Sequence, residues 1–234
     1  MSFNVKFIVN DFLKELEDNQ PHRYRSWEIC HDTFLKFENK KLTEEDLDYL
    51  ALHLGFYLAS WGMYRGSSFL LQYYDYTIHK AAVKIAMDYK DLFHINPFEQ
   101  TDKYLYLLFD SKAGLYNKLD HYYTELRKNV KDTNSGISST LITKILIGIF
   151  GCVPAYDRFF LDGITPFKIS KTSNNQPNLK SLIDYIKNNS DLLQELYSVL
   201  NSIDTKRHYT IMKIIDMYFW QIGYKNNNKG EHYG

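Results

Sequence analysis

The feature that most constrains this sequence is an apolar run near its middle, LITKILIGIFGCVPAYDRFF, residues 141–160. Between residues 145 and 153 the run is apolar on every face, whereas a helix at a protein surface carries a polar side. We therefore predict that residues 141–153 form a helix enclosed by other helices. Pro154 breaks the pattern, and polar side chains follow directly after it.

Elsewhere, apolar residues recur three and four positions apart, which is the spacing of amphipathic helices. Segments that begin at a hydroxyl residue followed by acids, such as TEED from Thr43, add helix start signals. Neither a strand set nor an internal repeat is evident. The sequence thus predicts an all-α fold, a single-domain orthogonal or irregular bundle of about eight to ten helices around the central apolar helix. We expect this domain to span residues 1–224, with a disordered tail at 225–234.

Charge and cysteine usage narrow the class of protein. Lys and Arg number 28 and Asp and Glu number 28, so no global field attracts nucleic acid or an anionic membrane. The longest uncharged apolar run, residues 145–156, is shorter than the ~20 residues of a membrane span. Cys30 and Cys152 stand far apart and share no ligand spacing. We expect a soluble protein of the reducing cytoplasm without a membrane partner.

Sequence motifs for cofactors and metals are absent. The chain has no P-loop, no GxGxxG and no HExxH motif, and its eight histidines include no pair four residues apart. We therefore predict neither a cofactor nor a metal site.

The first candidate site is the segment SWGMYRGSS, residues 60–68. We predict a helix that begins at Ser67 or Ser68 and reaches residue 89, so this segment would lie at a helix N-terminus, where N–H groups attract anions. A guanidinium and hydroxyls would complete a phosphate or carboxylate site. The candidate ligand-binding residues are Trp61, Tyr64, Arg65, Ser67 and Ser68. The alternative is an ordinary turn, with the tryptophan in the core and the arginine paired to an acid.

The second candidate site follows the apolar helix. Lys144 is the only charge within that helix, and a buried lysine can act as a nucleophile or base. Asp157 would act with it, and Tyr156 and Arg158 would contact the ligand. The structural alternatives are that Lys144 extends its ammonium to water and that Asp157 stabilises the start of a helix.

A lysine and an aspartate also serve the all-α DNA glycosylases of the helix-hairpin-helix type. In those enzymes the lysine attacks the sugar carbon and the aspartate supports the charged transition state. Their Gly-x-Gly hairpin has no counterpart here, because Gly148 and Gly151 come late in the apolar run and Lys144 precedes both. No residue roles are carried over, but the chemistry remains an alternative.

Three functions remain open. We favour a helical protein that binds an anionic small molecule or nucleic acid at a polar site between the breaks at 60–68 and 154–158. Among such ligands, we expect a nucleotide or nucleic acid ahead of others. Arg65 and Asp157 would share that site. One alternative is a glycosylase-like or lyase-like enzyme that processes nucleotides or nucleic acid through Lys144 and Asp157. The other is a helical protein–protein interaction module without catalysis.

Overall fold

The computed structural model describes residues 3–19, 22–66, 68–73, 75–130, 137–173 and 176–230, with the backbone alone at 228–230. Within these ranges the chain forms eleven α-helices and one two-stranded antiparallel sheet, which confirms the predicted all-α class. The helices are α1 (Val5–Asp18), α2 (Arg25–Leu35), α3 (Glu44–Ser60), α4 (Lys80–Ala86), α5 (Thr101–Phe109), α6 (Leu115–Lys128), α7 (Ser139–Phe150), α8 (Arg158–Ile164), α9 (Leu179–Lys187), α10 (Ser190–Ser202) and α11 (Ile211–Gly230). The strands are β1 (Thr172–Ser173) and β2 (Gln176–Pro177), and short 3-10 helices cover Phe69–Gln72, Tyr76–His79, Lys90–Phe93 and Thr165–Phe167.

The chain divides into two compact units. The middle unit, Arg23–Phe150, contains α2 to α7. The terminal unit combines Met1–His22 with Gly151–Gly234 and contains α1, α8 to α11 and the sheet. The prediction of one domain over residues 1–224 stays a prediction beside this division.

Helix α7 is the core of the middle unit, as its apolar sequence predicts. Every residue from Leu141 to Phe150 is buried, and α2, α3 and α6 pack against it. The last carbonyls of a helix lack partners within the helix. Here the indole Nε1 of Trp27 donates to the carbonyl of Ile147 at 2.7 Å, and Nδ1 of His31 lies 2.9 Å from the carbonyl oxygen of Ile149.

The end of α7 differs from the prediction, because the helix stops at Phe150 and not at residue 153. Gly151 has a φ of 62°, the left-handed conformation that commonly ends helices and that glycine adopts without strain. A Cβ at this position would also lie 2.7 Å from Oγ1 of Thr210. Residues 151–156 are therefore non-helical, yet all of them are buried.

Helix α11 is the core of the terminal unit and packs against α1, α8 and α10. It continues through Gly230, beyond residue 224, and the predicted disordered tail at 225–234 stays a prediction beside this helix. In this last part of α11, Lys225 forms an ion pair with Asp11 of α1. Residues 231–234 lie outside the described part of the chain.

Candidate functional site

The first candidate segment forms a tight turn after α3. The amide of Met63 donates to the carbonyl of Leu58 at 2.9 Å, and Gly62 turns the chain with a φ of 73°. The side chain of Arg65 folds back over Gly62, where its Nε would lie 2.5 Å from a Cβ. Arg65 is exposed, and Ser67 lies outside the described residues.

The long helix predicted from residue 67 or 68 to residue 89 does not form. In its place the chain makes two four-residue 3-10 helices and the short α4. The side chains of Ser68 and Asp75 cap the two 3-10 helices, accepting from the amides of Leu70 at 3.3 Å and Thr77 at 2.9 Å. Ser68 therefore precedes a four-residue 3-10 helix and not the long helix whose dipole was expected to attract an anion.

Aromatic rings and cations cluster beside this turn. The rings of Tyr24 and Trp61 stack, with centroids 5.5 Å apart and an interplanar angle of 7°. The guanidinium carbon of Arg23 lies 5.5 Å from the Trp61 centroid, and Nζ of Lys144 lies 4.7 Å from it. Both distances are within the range of cation–π attraction. The turn thus brings together three predicted residues, Trp61, Arg65 and Lys144, and adds Arg23.

The accessibility of these cations differs. Arg23 and Arg65 are exposed, and among the described residues of the middle unit no carboxylate forms an ion pair with either of them. The alternative in which an acid pairs with Arg65 is therefore not observed within this unit. Lys144 has only 3% of its surface exposed, so its charge supports the cluster from the interior.

Tyr64, another predicted residue, belongs to a buried hydrogen-bonded chain. Its hydroxyl lies 2.5 Å from Nε2 of His79, and Nδ1 of His79 lies 2.7 Å from the hydroxyl of Tyr123. Because a neutral imidazole has one N–H, it donates to one tyrosine and accepts from the other. Burial lowers the pKa of His79 to about 4 and raises the pKa of Tyr64 to about 12. Burial also raises the pKa of Tyr123 well above its ordinary value.

The second candidate segment lies in the terminal unit. The carboxylate of Asp157 accepts from the amide of Phe160 at 3.1 Å and is the N-cap of α8, which is the structural role considered for it. Tyr156 is buried. Arg158 is exposed and donates to Oδ1 of Asn227 at 2.5 Å. Since Arg65 and Asp157 belong to different units, their shared site stays a prediction.

Sequence reasoning missed a buried ion pair in the terminal unit. Nζ of Lys213 lies 2.9 Å from Oδ2 of Asp216, and Oδ1 of Asp216 accepts from the amide of Ala155 at 2.9 Å. The aspartate thus fixes the non-helical segment that follows α7. The signal was present, because two opposite charges three residues apart interrupt an otherwise apolar helix sequence.

The part of the chain that the structure describes contains no group of three His, Cys, Asp or Glu residues arranged to hold a metal ion. None of its helices combines the length and apolar character needed to cross a membrane.

The fold and this geometry define an all-α protein whose middle unit carries an arginine–aromatic cluster. It is formed by the exposed Arg23 and Arg65, the buried Tyr24 and the part-buried Trp61, with Lys144 beneath. Comparison with protein-family models, with curated proteins and with solved structures gives no match. Function is therefore argued from the site itself, since a fold alone does not specify one.

Proposed function

We propose that the arginine–aromatic cluster binds an anionic ligand, a nucleotide or a short single-stranded nucleic acid, in a cytoplasmic protein whose buried free cysteines stay reduced. The observation that carries the proposal is the convergence of two exposed arginines on the turn at Trp61. Arg23 lies against the Trp61 ring, and Arg65 lies over the adjacent Gly62.

The chemistry of the cluster suits a phosphate attached to a base. A guanidinium donates paired hydrogen bonds to phosphate oxygens, and its plane can also stack on a base. Arginines already held against a ring or a backbone lose less conformational freedom on binding. The balanced charge of the chain favours a small ligand or a short strand over a long duplex.

Lys144 strengthens the field at the cluster without reaching the ligand. Its ammonium lies within cation–π range of Trp61, and its burial keeps it from acting as an exposed nucleophile. The alternative of a glycosylase-like or lyase-like enzyme requires such a nucleophile. Borohydride trapping of a covalent complex that depends on Lys144 would support that alternative.

Isothermal titration calorimetry tests the proposal with four probes: ATP, AMP, inorganic phosphate and a dT oligonucleotide. We expect Arg65→Ala and Arg23→Ala each to weaken binding about tenfold or more, because a hydrogen bond to a charged group contributes ~1.5–3 kcal/mol. Lys128→Ala is the matched control, since it removes one exposed positive charge from the same unit. Binding that neither arginine variant changes, or no binding of any probe, refutes the proposal.

The wider site predicted from the sequence has its own test. Arg158 belongs to the terminal unit, so Arg158→Ala leaves the affinity unchanged if the cluster alone binds the ligand. A loss of affinity equal to that of Arg65→Ala supports a site that includes residues 154–158.

One observation favours the interaction-module alternative. Tyr49, Leu52 and Phe56 form a stripe along α3 with exposed fractions of 48%, 46% and 64%. At roughly 200 Å² for each large side chain, the stripe exposes about 300 Å². Two copies of the chain could bury their stripes against each other, but a stable interface needs about 800 Å² per partner, so the association would be weak. Sedimentation over a range of concentrations, with Phe56→Ser as the variant, tests this alternative.

A further inference from the structure

A second polar site lies in the middle unit, lined by residues that the arginine–aromatic cluster does not use. It is a surface cleft of about 420 Å³, within the size range of small-molecule sites. The charged and titratable side chains that line it are Glu38, Lys90, Asp91, His94 and Lys103.

A carboxylate–imidazole pair is the centre of this cleft. Oε1 of Glu38 lies 2.6 Å from Nε2 of His94. The Glu38 side chain is 18% exposed and the His94 side chain is 66% exposed. The partly buried carboxylate therefore orients an imidazole that solvent can reach. When the neutral imidazole donates Nε2–H to the carboxylate, Nδ1 carries the lone pair. Among the described residues, Nδ1 of His94 has no hydrogen-bond partner.

Two ammonium groups line the same cleft. Nζ of Lys103 lies 2.7 Å from Oδ2 of Asp91, and Nζ of Lys90 donates to the carbonyl of Lys40 at 3.1 Å. An ammonium has three N–H donors, so each lysine retains donors for a further acceptor. Lysine is a common phosphate ligand, and the amides of Asn39 and Gln100 add neutral donors.

We propose that this cleft hydrolyses small phosphate esters, with His94 as the general base, Glu38 as a positioning residue, and Lys90 and Lys103 binding the phosphoryl oxygens. Nδ1 of His94 takes a proton from water, and the water oxygen forms a bond to phosphorus while the ester P–O bond breaks. The leaving oxygen takes a proton from solvent, and the imidazolium returns its proton to solvent. One ester and one water give one phosphate and one alcohol.

The polar lining selects the substrate class. A carboxylic ester with an apolar body finds few apolar side chains in this cleft. A phosphate ester offers oxygens to the N–H donors that Lys90 and Lys103 retain beside their bonds to the carbonyl of Lys40 and to Asp91. The site is independent of the proposed ligand binding at Arg65, so each can fail without the other.

Hydrolysis of p-nitrophenyl phosphate by the full chain tests the proposal, with p-nitrophenyl acetate as a second substrate. We expect His94→Ala to lower kcat about 10²-fold or more, the usual effect of losing a general base. Added imidazole restores part of that rate, which a structural role for His94 would not allow. His121→Ala, which removes another exposed histidine of the same unit, leaves the rate unchanged.

The other cleft residues give distinct signatures. Glu38→Gln lowers kcat with little change in KM, since the base loses its orientation, whereas Lys90→Gln and Lys103→Gln raise KM. Wild-type hydrolysis no faster than buffer, a His94→Ala rate equal to wild type, or no rescue by imidazole overturns the proposal. Turnover of the acetate alone, dependent on His94, overturns the assigned substrate class.

Discussion

Acid should destabilise the middle unit through His79, one of its buried histidines. Its imidazole is fully buried between the hydroxyls of Tyr64 and Tyr123, and this burial lowers its pKa from 6.5 to about 4. The unfolded chain binds a proton near pH 6.5, whereas the folded chain resists protonation until about pH 4. The free energy of unfolding therefore falls as the pH drops through this window, and it levels off below it.

The magnitude follows from the two pKa values. One pKa unit corresponds to about 1.4 kcal/mol, so the full difference of 2.5 units amounts to ~3 kcal/mol. Integrated over the titration, the loss from this histidine is ~2 kcal/mol between pH 7 and pH 5, and it approaches ~3 kcal/mol at pH 4. A loss of this size is a large part of the stability of a typical domain.

Urea unfolding at pH 7, 6, 5 and 4, followed by tryptophan fluorescence and circular dichroism, measures this effect. The variant His79→Gln keeps a group that can donate and accept between the two tyrosines but does not titrate. We expect this variant to be less stable than wild type at pH 7 and to lose ~2 kcal/mol less than wild type on going to pH 5. His121→Gln removes an exposed histidine and retains the wild-type pH dependence. Equal pH dependence in wild type and His79→Gln refutes the reasoning.

Three further substitutions test the buried polar groups and the backbone. Asp216→Asn breaks a buried ion pair and should lower the free energy of unfolding, measured in urea, by ~3–5 kcal/mol. The double variant Lys213→Met/Asp216→Asn should lower it by less, and equal decreases would contradict the pairing. Asp157→Ala should lower the free energy of unfolding by ~1 kcal/mol, because it removes the N-cap of α8, and Asp157→Ser should restore most of that stability. If Asp157→Ser restores none of it, the charge of Asp157 matters more than its cap hydrogen bond. Gly151→Ala should lower the melting temperature, because it places a Cβ at a φ of 62° and 2.7 Å from Oγ1 of Thr210; an unchanged melting temperature would contradict this reading.

Local sequence patterns predicted only part of the candidate site. The turn at residues 60–68 was predictable from its glycines, and Arg65 stands out there as the one cation. Arg23 was not predictable as its neighbour, because the packing of α2 against α3 brings residues 23 and 24 to Trp61 across 38 and 37 positions of sequence. The pairing of Glu38 with His94, 56 positions apart, was hidden for the same reason.

The helix predicted from local sequence over residues 67–89 does not form. Residues 69–89 are rich in residues that tolerate a helix, yet the side chains of Ser68 and Asp75 bond to nearby amides and interrupt it. Hydrogen bonds from these side chains to nearby amides are an alternative to the hydrogen bonds of a continuous helix. Which of the two forms depends on where the aromatic side chains of the segment find partners. Tyr73, whose hydroxyl donates to the carbonyl of Leu126, is one example.

The sequence by itself determined the all-α class and the enclosed helix α7, because the hydrophobic period along a chain is a local property that burial must satisfy. It also predicted the break at residues 60–68, through the two glycines there. Only the tertiary structure decided which polar groups meet: Lys144 with Trp61, Lys213 and Asp216 with the amide of Ala155, and His79 with its two tyrosines. Each of these depends on how helices pack side by side, and a buried polar group must find its partner there because water is excluded.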